Sequence, residues 1–300
     1  MTISEKRNLR NGLLFASPWL IGFAVFVCYP IVASFYYSLC YYDAITTPKF
    51  IGLENYKMLL FNDSLLWKSL YNTLYIVVLG LPIGLIVSLA LALFLNQKVR
   101  GLAVYRTIYY LPSITPVVAL SILWLWLLNP QMGLINTILV PILGKLKLSA
   151  PGWLGDPFWA KPALVLMGVW GVGNTIIIFL AGLQNVPQQL YESAEIDGAN
   201  SWRKLWNITL PMLSPVIFFN VIMGIIGSFQ YFTQVWIMTR GGPQDATLFY
   251  ALYLFNNAFL FFKMGYASAM AWVLFLITLI CTLTIFKSSA KWVYYAGETK

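Results

Sequence analysis

The sequence has 300 residues, of which 60% are hydrophobic, 17% aromatic and only 10% charged, with a mean hydropathy of +0.74. A water-soluble fold is excluded, because apolar runs of about 20 residues, the length that crosses a bilayer, recur along the chain. The net charge of +9 does not point to nucleic acid, since the bases sit at the ends of apolar runs, and the absence of histidine removes His-based triads and His metal sites.

Lys6, Arg7 and Arg10 precede the first apolar run, residues 12–39. That run is much longer than the 7–15 residues or so of a signal-peptide core, and no A-x-A cleavage site follows, so it reads as a retained first span. The further runs are 70–95, 107–128, 162–183, 212–238 and 264–286, giving six spans within a single transmembrane domain, residues 1–300. They lack apolar/polar alternation and are too long for membrane strands, and lipid offers the backbone no hydrogen-bond partners. The expected fold is therefore an all-α integral membrane protein with both termini on one side.

With the termini in the cytoplasm, eleven of the 19 Lys and Arg residues fall inside, namely 6, 7, 10, 98, 100, 106, 203, 204, 287, 291 and 300, and eight outside. The bias is strongest at the N-terminus and in the short 96–105 loop, where positive charge weighs most. None of the six spans as delimited holds Asp, Glu, Lys or Arg, although proton-coupled carriers and voltage sensors need such groups. "GVWGVGNT" at 168–175 lacks the lysine of a phosphate-binding loop, and its glycines read as close-packing residues. Cys28, Cys40 and Cys281 form no CxxC and read as packing residues. No catalytic or metal-binding constellation emerges.

Between the fourth and fifth spans lies a polar stretch, 186–211, containing "YESAEIDGANSWRKLWNITLP". Pro187 is placed to start a helix, Gly198 to end or bend it, and Asn200 or Ser201 to cap a second. Trp202, Leu205 and Trp206, at i, i+3 and i+4, give that second helix one apolar edge. From chemistry alone, an amphipathic loop on the membrane surface and a docking surface for a soluble partner fit about equally.

Glu192, Ala194, Asp197, Gly198 and Ala199, followed by Ile208, Leu210 and Pro211, resemble the EAA motif of ABC importer permeases, with Ser193 where alanine is typical. "GLENYKMLL", "RGLAVYRTIYYLPSITPVVA", "NPQMGLIN" and "RGGPQDATLFYALYLFNNAF" are similar to the carbohydrate-uptake branch of that family, the maltose and glycerol-3-phosphate type, and to its six-span first partner of a permease pair. The resemblance implies that the segment is a coupling helix seated on a separate ATPase, with Glu192, Ala194, Asp197, Gly198, Ala199, Trp202, Leu210 and Pro211 at or supporting the contact. It implies further partners: a second permease subunit, two ATP-binding subunits that hold ATP and Mg, and an extracytoplasmic solute-binding protein. No cofactor is expected on this chain itself.

The resemblance also implies a solute path along the spans flanking this segment. Asn220, Gly224, Ser228 and Tyr231 form a stripe at helical spacing on the fifth span, and Gly171, Asn174 and Thr175 cluster on the fourth. Trp170 and Tyr231 add aromatic faces of the kind sugars stack on. All these groups are neutral, which favours an uncharged sugar or polyol over a phosphorylated one. A glycerol-3-phosphate permease and a secondary sugar transporter are the alternatives. The second would predict coupling-ion ligands and inverted repeats, and the sequence displays neither.

Overall fold

The computed structural model describes residues 2–97 and 100–294; Lys98 and Lys300, both counted toward the cytoplasmic charge, lie outside the described residues. Helices dominate: α1 (Ser4–Ser38), α2 (Ser64–Leu95), α3 (Leu102–Ile114), α4 (Val117–Leu127), α5 (Leu134–Lys145), α6 (Ala160–Trp170), α7 (Gly173–Gln184), α8 (Gln188–Ile196), α9 (Ser201–Met238), α10 (Tyr250–Phe255) and α11 (Met264–Trp292). A two-stranded antiparallel ladder, β1 (Cys40–Tyr41) with β2 (Lys49–Phe50), is a small addition to the all-α expectation.

Four helices, α1, α2, α9 and α11, are long and apolar enough to cross a membrane, and the number becomes six if each of two bent pairs is one crossing. The predicted spans 107–128 and 162–183 are thus corrected from single helices to pairs. The first breaks by 102° between α3 and α4, where Thr115 and Pro116 are both extended. The proline ring crowds the residue before it out of the helical region. The second bends by 48° between α6 and α7. There Gly173 lies so close to α3 that a Cβ would stand 2.5 Å from the Ser113 Oγ and 3.0 Å from the Tyr109 carbonyl.

Three long helices carry a widened π turn immediately before a proline: Ala24–Cys28 ahead of Pro30, Ile76–Gly80 ahead of Pro82, and Leu205–Thr209 ahead of Pro211. Proline has no N–H, and its ring collides with the carbonyl four residues back. Widening the turn relieves that collision without breaking the helix. These prolines are therefore compatible with long spans.

The chain divides into two compact units, one comprising the chain up to Ser64 with Leu254–Phe275, the other Leu65–Tyr253 with the chain from Leu276 onward. In the first unit the Asn55 side-chain amide donates to the carbonyls of Ser38 and Cys40, both at 2.9 Å, and the Tyr266 hydroxyl donates to Asp63. In the second, Ala92 and Leu95 of α2, Ile176, Phe179 and Leu183 of α7, and Leu213 of α9 form a buried cluster. Close approach is permitted by Gly182, whose absent Cβ would stand 2.9 Å from Leu213 and Val216 side-chain atoms. Beyond this core, Asn136 donates to the carbonyls of Pro130 and Pro151 and accepts from the Trp153 indole at 2.7 Å. Asn55 and Asn136 belong to two of the stretches that carry the family resemblance, and both serve to fix backbone.

Candidate functional site

The polar segment has the predicted helix–bend–helix form. α8 ends in a left-handed residue, Gly198 with φ of +75°. The Ala199 N–H donates to the Ala194 carbonyl at 2.8 Å and the Gly198 N–H to the Glu195 carbonyl at 3.0 Å. That pair of bonds is a Schellman closure, which needs a residue free of Cβ crowding at its turning point. Asn200, rather than Ser201, caps the next helix: its side-chain oxygen accepts the Arg203 N–H at 2.9 Å.

Two side-chain pairs brace the bend. Lys204 pairs with Glu195 at 2.8 Å, joining the two helices across Gly198, and the Tyr191 hydroxyl bonds Thr209 at 2.9 Å at the base of α9. Their signal in the sequence was faint, because contacts across a bend have no fixed spacing. Glu192 and Asp197 are exposed, Ala194 and Ala199 half-buried. Around them Ile196 is 87% and Trp202 66% exposed, with Trp202 edge-on to Trp206. Leu210 and Pro211 are half-buried and start the regular part of α9. An exposed face combining isoleucine, two indoles and carboxylates suits a protein surface better than bulk water.

In the same unit, α2, α6, α7 and α9 line an open cavity of about 570 Å³. Of the predicted pathway residues, Gly171, Asn220, Gly224, Ser228 and Tyr231 line it, with Thr175. Two do not. Asn174 is exposed, and Trp170 stands edge-on to Trp124, lining a separate, mostly apolar cavity of about 230 Å³. The α6–α7 break is the reason: it resets the helical register, so residues read as one face of a straight helix diverge. Ser88 also lines the cavity, together with Gly80, Gly84 and Gly168. The small residues at 80, 84 and 88, four apart on α2, are the sequence signal for this face. Gly224 serves packing as well, since a Cβ there would stand 2.2 Å from the Leu81 side chain.

Asn220 is 6% exposed and donates to the Val216 carbonyl at 2.8 Å, while Ser88 donates to the Gly84 carbonyl at 2.6 Å. Tyr231 leans edge-on against Phe249 at 5.5 Å. The lining thus offers hydroxyls, one carboxamide and a phenol ring, and no ionised group.

The limits 107–128 and 162–183 stay free of ionisable residues, although the helices extend beyond them. α3 contains Arg106 and α6 contains Lys161, because both helices begin upstream of the apolar limits read from the sequence. Both stand at the start of their helices, where a long basic side chain is least costly to a membrane span.

The profile of the family described as "binding-protein-dependent transport system inner membrane component" matches residues 76–293. Over 99% of its length the chain is 44% identical to the probable ABC transporter permease protein YesP of Bacillus subtilis (strain 168), spanning 97% of that protein. It is 37% identical to the lactose transport system permease protein LacF of Rhizobium radiobacter, over 94% of each chain. Among solved structures, a chain of the bacterial alginate ABC transporter in complex with alginate pentasaccharide-bound periplasmic protein superposes with a TM-score of 0.80, over 95% of this chain and 96% of that one. At 23% identity that likeness speaks to the fold.

Proposed function

The chain belongs to the binding-protein-dependent transport system inner membrane component family, and from that membership we propose that it forms half of the solute path of an ATP-driven sugar importer. It is a multi-pass membrane protein and a permease subunit of the carbohydrate-uptake ABC transporter class. The finer reading is mechanical. The segment 186–211 is the coupling element, and ATP with Mg is bound and hydrolysed by two separate subunits docked against it. A second permease completes the path, and an extracytoplasmic solute-binding protein delivers the cargo.

One observation carries this reading. Of the helices whose inner faces line the neutral cavity, α9 starts directly after the braced bend at Gly198, and α7 is joined to α8, the other arm of that bend, by only residues 185–187. A push on the exposed face of α8 therefore has a stiff route to the cavity wall. The lining suits the hydroxyls of a sugar or polyol. A phosphate dianion, as on glycerol-3-phosphate, would cross it with no counter-charge from this chain. Co-expression with ATP-binding subunits tests the coupling role: a stable complex that hydrolyses ATP faster when solute-loaded binding protein is added is the expected result. A chain that never co-purifies with an ATPase would end the proposal.

Orientation is the second commitment. With Cys28, Cys40 and Cys281 replaced by alanine, a cysteine at Gly155 is expected to react with an impermeant thiol reagent applied to intact cells, and one at Asn200 only after permeabilisation. Both positions are exposed, and a Cβ at Gly155 has nothing within 4 Å, so reagent access reports the side of the membrane. Reversed labelling, or equal labelling from one side, would overturn the cytoplasmic placing of the termini and of the bend.

A further inference from the structure

The smaller cavity, about 230 Å³, lies where α2, α3, α4, α6 and α7 meet, and aliphatic and aromatic side chains make up its wall. The helix breaks account for it. α3 and α4 part by 102° and α6 and α7 bend by 48°, so helices that turn away from one another leave a wedge between them. Ile108 and Trp170 in the wall are 54% and 53% exposed, so the wedge opens onto the apolar outer surface of the helices. Water is a poor occupant of such a space: an apolar cavity of about 150 Å³ stays dry and admits benzene.

Polar groups beside this cavity lack partners. Among the described residues four buried side-chain nitrogen or oxygen atoms have no hydrogen-bond partner, and the two nitrogens among them are Arg106 Nε on α3 and Trp124 Nε1 on α4. Trp124 is 5% exposed and lines the cavity itself. Arg106 stands three residues before the lining residue Tyr109 and shares its side of α3. It forms no ion pair among the described residues. From Arg106 to Pro112, which also lines the cavity, the helix rises about 9 Å. A fitting occupant has an apolar body, oxygen acceptors and a negative charge at one end.

We propose that this cavity holds an acyl chain of an anionic phospholipid whose phosphate sits on Arg106. The headgroup charge complements the guanidinium, the ester oxygens are acceptors of the kind Trp124 lacks, and the chain fills the apolar space. A zwitterionic phospholipid brings the same chain, but the cation beside its phosphate repels Arg106. Inorganic phosphate brings the charge and leaves the space empty. Val172 lines this cavity and the larger one alike, so a chain in the smaller bears on the wall of the larger at the α6–α7 bend. The site goes beyond the importer reading and does not depend on it.

The test uses the full chain, with the subunits that co-purify with it, in nanodiscs of phosphatidylcholine and phosphatidylglycerol in equal amounts. Native mass spectrometry after transfer to detergent then reads the lipid retained. One phosphatidylglycerol per chain is expected, favoured about fivefold over phosphatidylcholine, the worth of one cation near an anionic headgroup. Arg106→Gln should abolish the preference, and Arg106→Lys should keep most of it. Val169→Phe, which fills the cavity, should release both lipids. If that variant lowers the yield of folded protein, Ile108→Trp at the exposed rim gives the same block. Equal retention of the two lipids, a preference that survives Arg106→Gln, or retention unchanged in the filled variants would overturn the assignment. So would a bound phosphate ion in place of lipid. If the unmodified chain retains no lipid and Val169→Phe instead sheds a co-purifying membrane subunit, the cavity belongs to that subunit and the proposal is wrong.

Discussion

Valine in place of Gly198 is expected to leave the chain inserted in the membrane while removing most of its attachment to the ATP-binding subunit and most uptake. Gly198 holds φ of +75°, and a Cβ built there meets nothing within 4 Å. The penalty therefore comes from the backbone alone, about 1–3 kcal/mol, and is largest for a β-branched residue. If the backbone relaxes instead, the bonds from Ala199 to Ala194 and from Gly198 to Glu195 are lost. The Lys204–Glu195 pair cannot replace them, because Glu195 is 63% exposed and such a pair contributes little, about 1 kcal/mol at most. The segment carrying Trp202 and Trp206 then loses its fixed direction relative to α8, and a docking surface that needs both helices is lost. Asparagine tolerates the left-handed region, so Gly198→Asn should retain most attachment. Glu192→Lys reverses one exposed charge on α8 and should weaken docking without touching the fold. Co-purification with the ATPase and uptake into vesicles are the measurements. Normal values for both Gly198→Val and Glu192→Lys would refute the coupling role of this segment.

Gly265→Ala is expected to have an effect of similar size on a different quantity, the amount of folded protein. At the start of α11, an added Cβ would lie 2.1 Å from the Cys40 carbonyl oxygen and 3.1 Å from that of Tyr37. Both are backbone atoms, so no rotamer change relieves the clash. The Gly265 N–H donates to the Tyr42 carbonyl at 3.0 Å, which fixes the glycine against the same turn. Overpacking of this kind costs about 1–3 kcal/mol where side chains can yield, and more where they cannot. The matched control is Gly12→Ala, where a Cβ has nothing within 4 Å. Thermal unfolding in detergent should occur at clearly lower temperature for Gly265→Ala only. Indistinguishable curves for the two variants would refute the contact.

The sequence by itself determined what depends on composition and on neighbours along the chain. Apolar run length dictated membrane helices because lipid leaves the backbone no other solution. The bend at Gly198 and the cap at Asn200 or Ser201 were legible because capping and chain reversal are decided within a few residues. The resemblance of Glu192–Ala199 and Leu210-Pro211 to a known motif pointed to the family that the full-length comparison supports. Tertiary structure alone decided the rest. Whether Thr115-Pro116 and Gly171–Gly173 kink a span or break it depends on how closely α3 and α7 pack, which local propensity does not encode. The cavity left out Asn174 and Trp170, because a 48° bend between α6 and α7 changes which side chains share a face, and added Ser88 from α2, a helix remote in sequence. Lys161 read as one more outer loop charge. Only the fold brings it to Asn72, 89 positions away, because a contact between distant helices is set by packing in three dimensions.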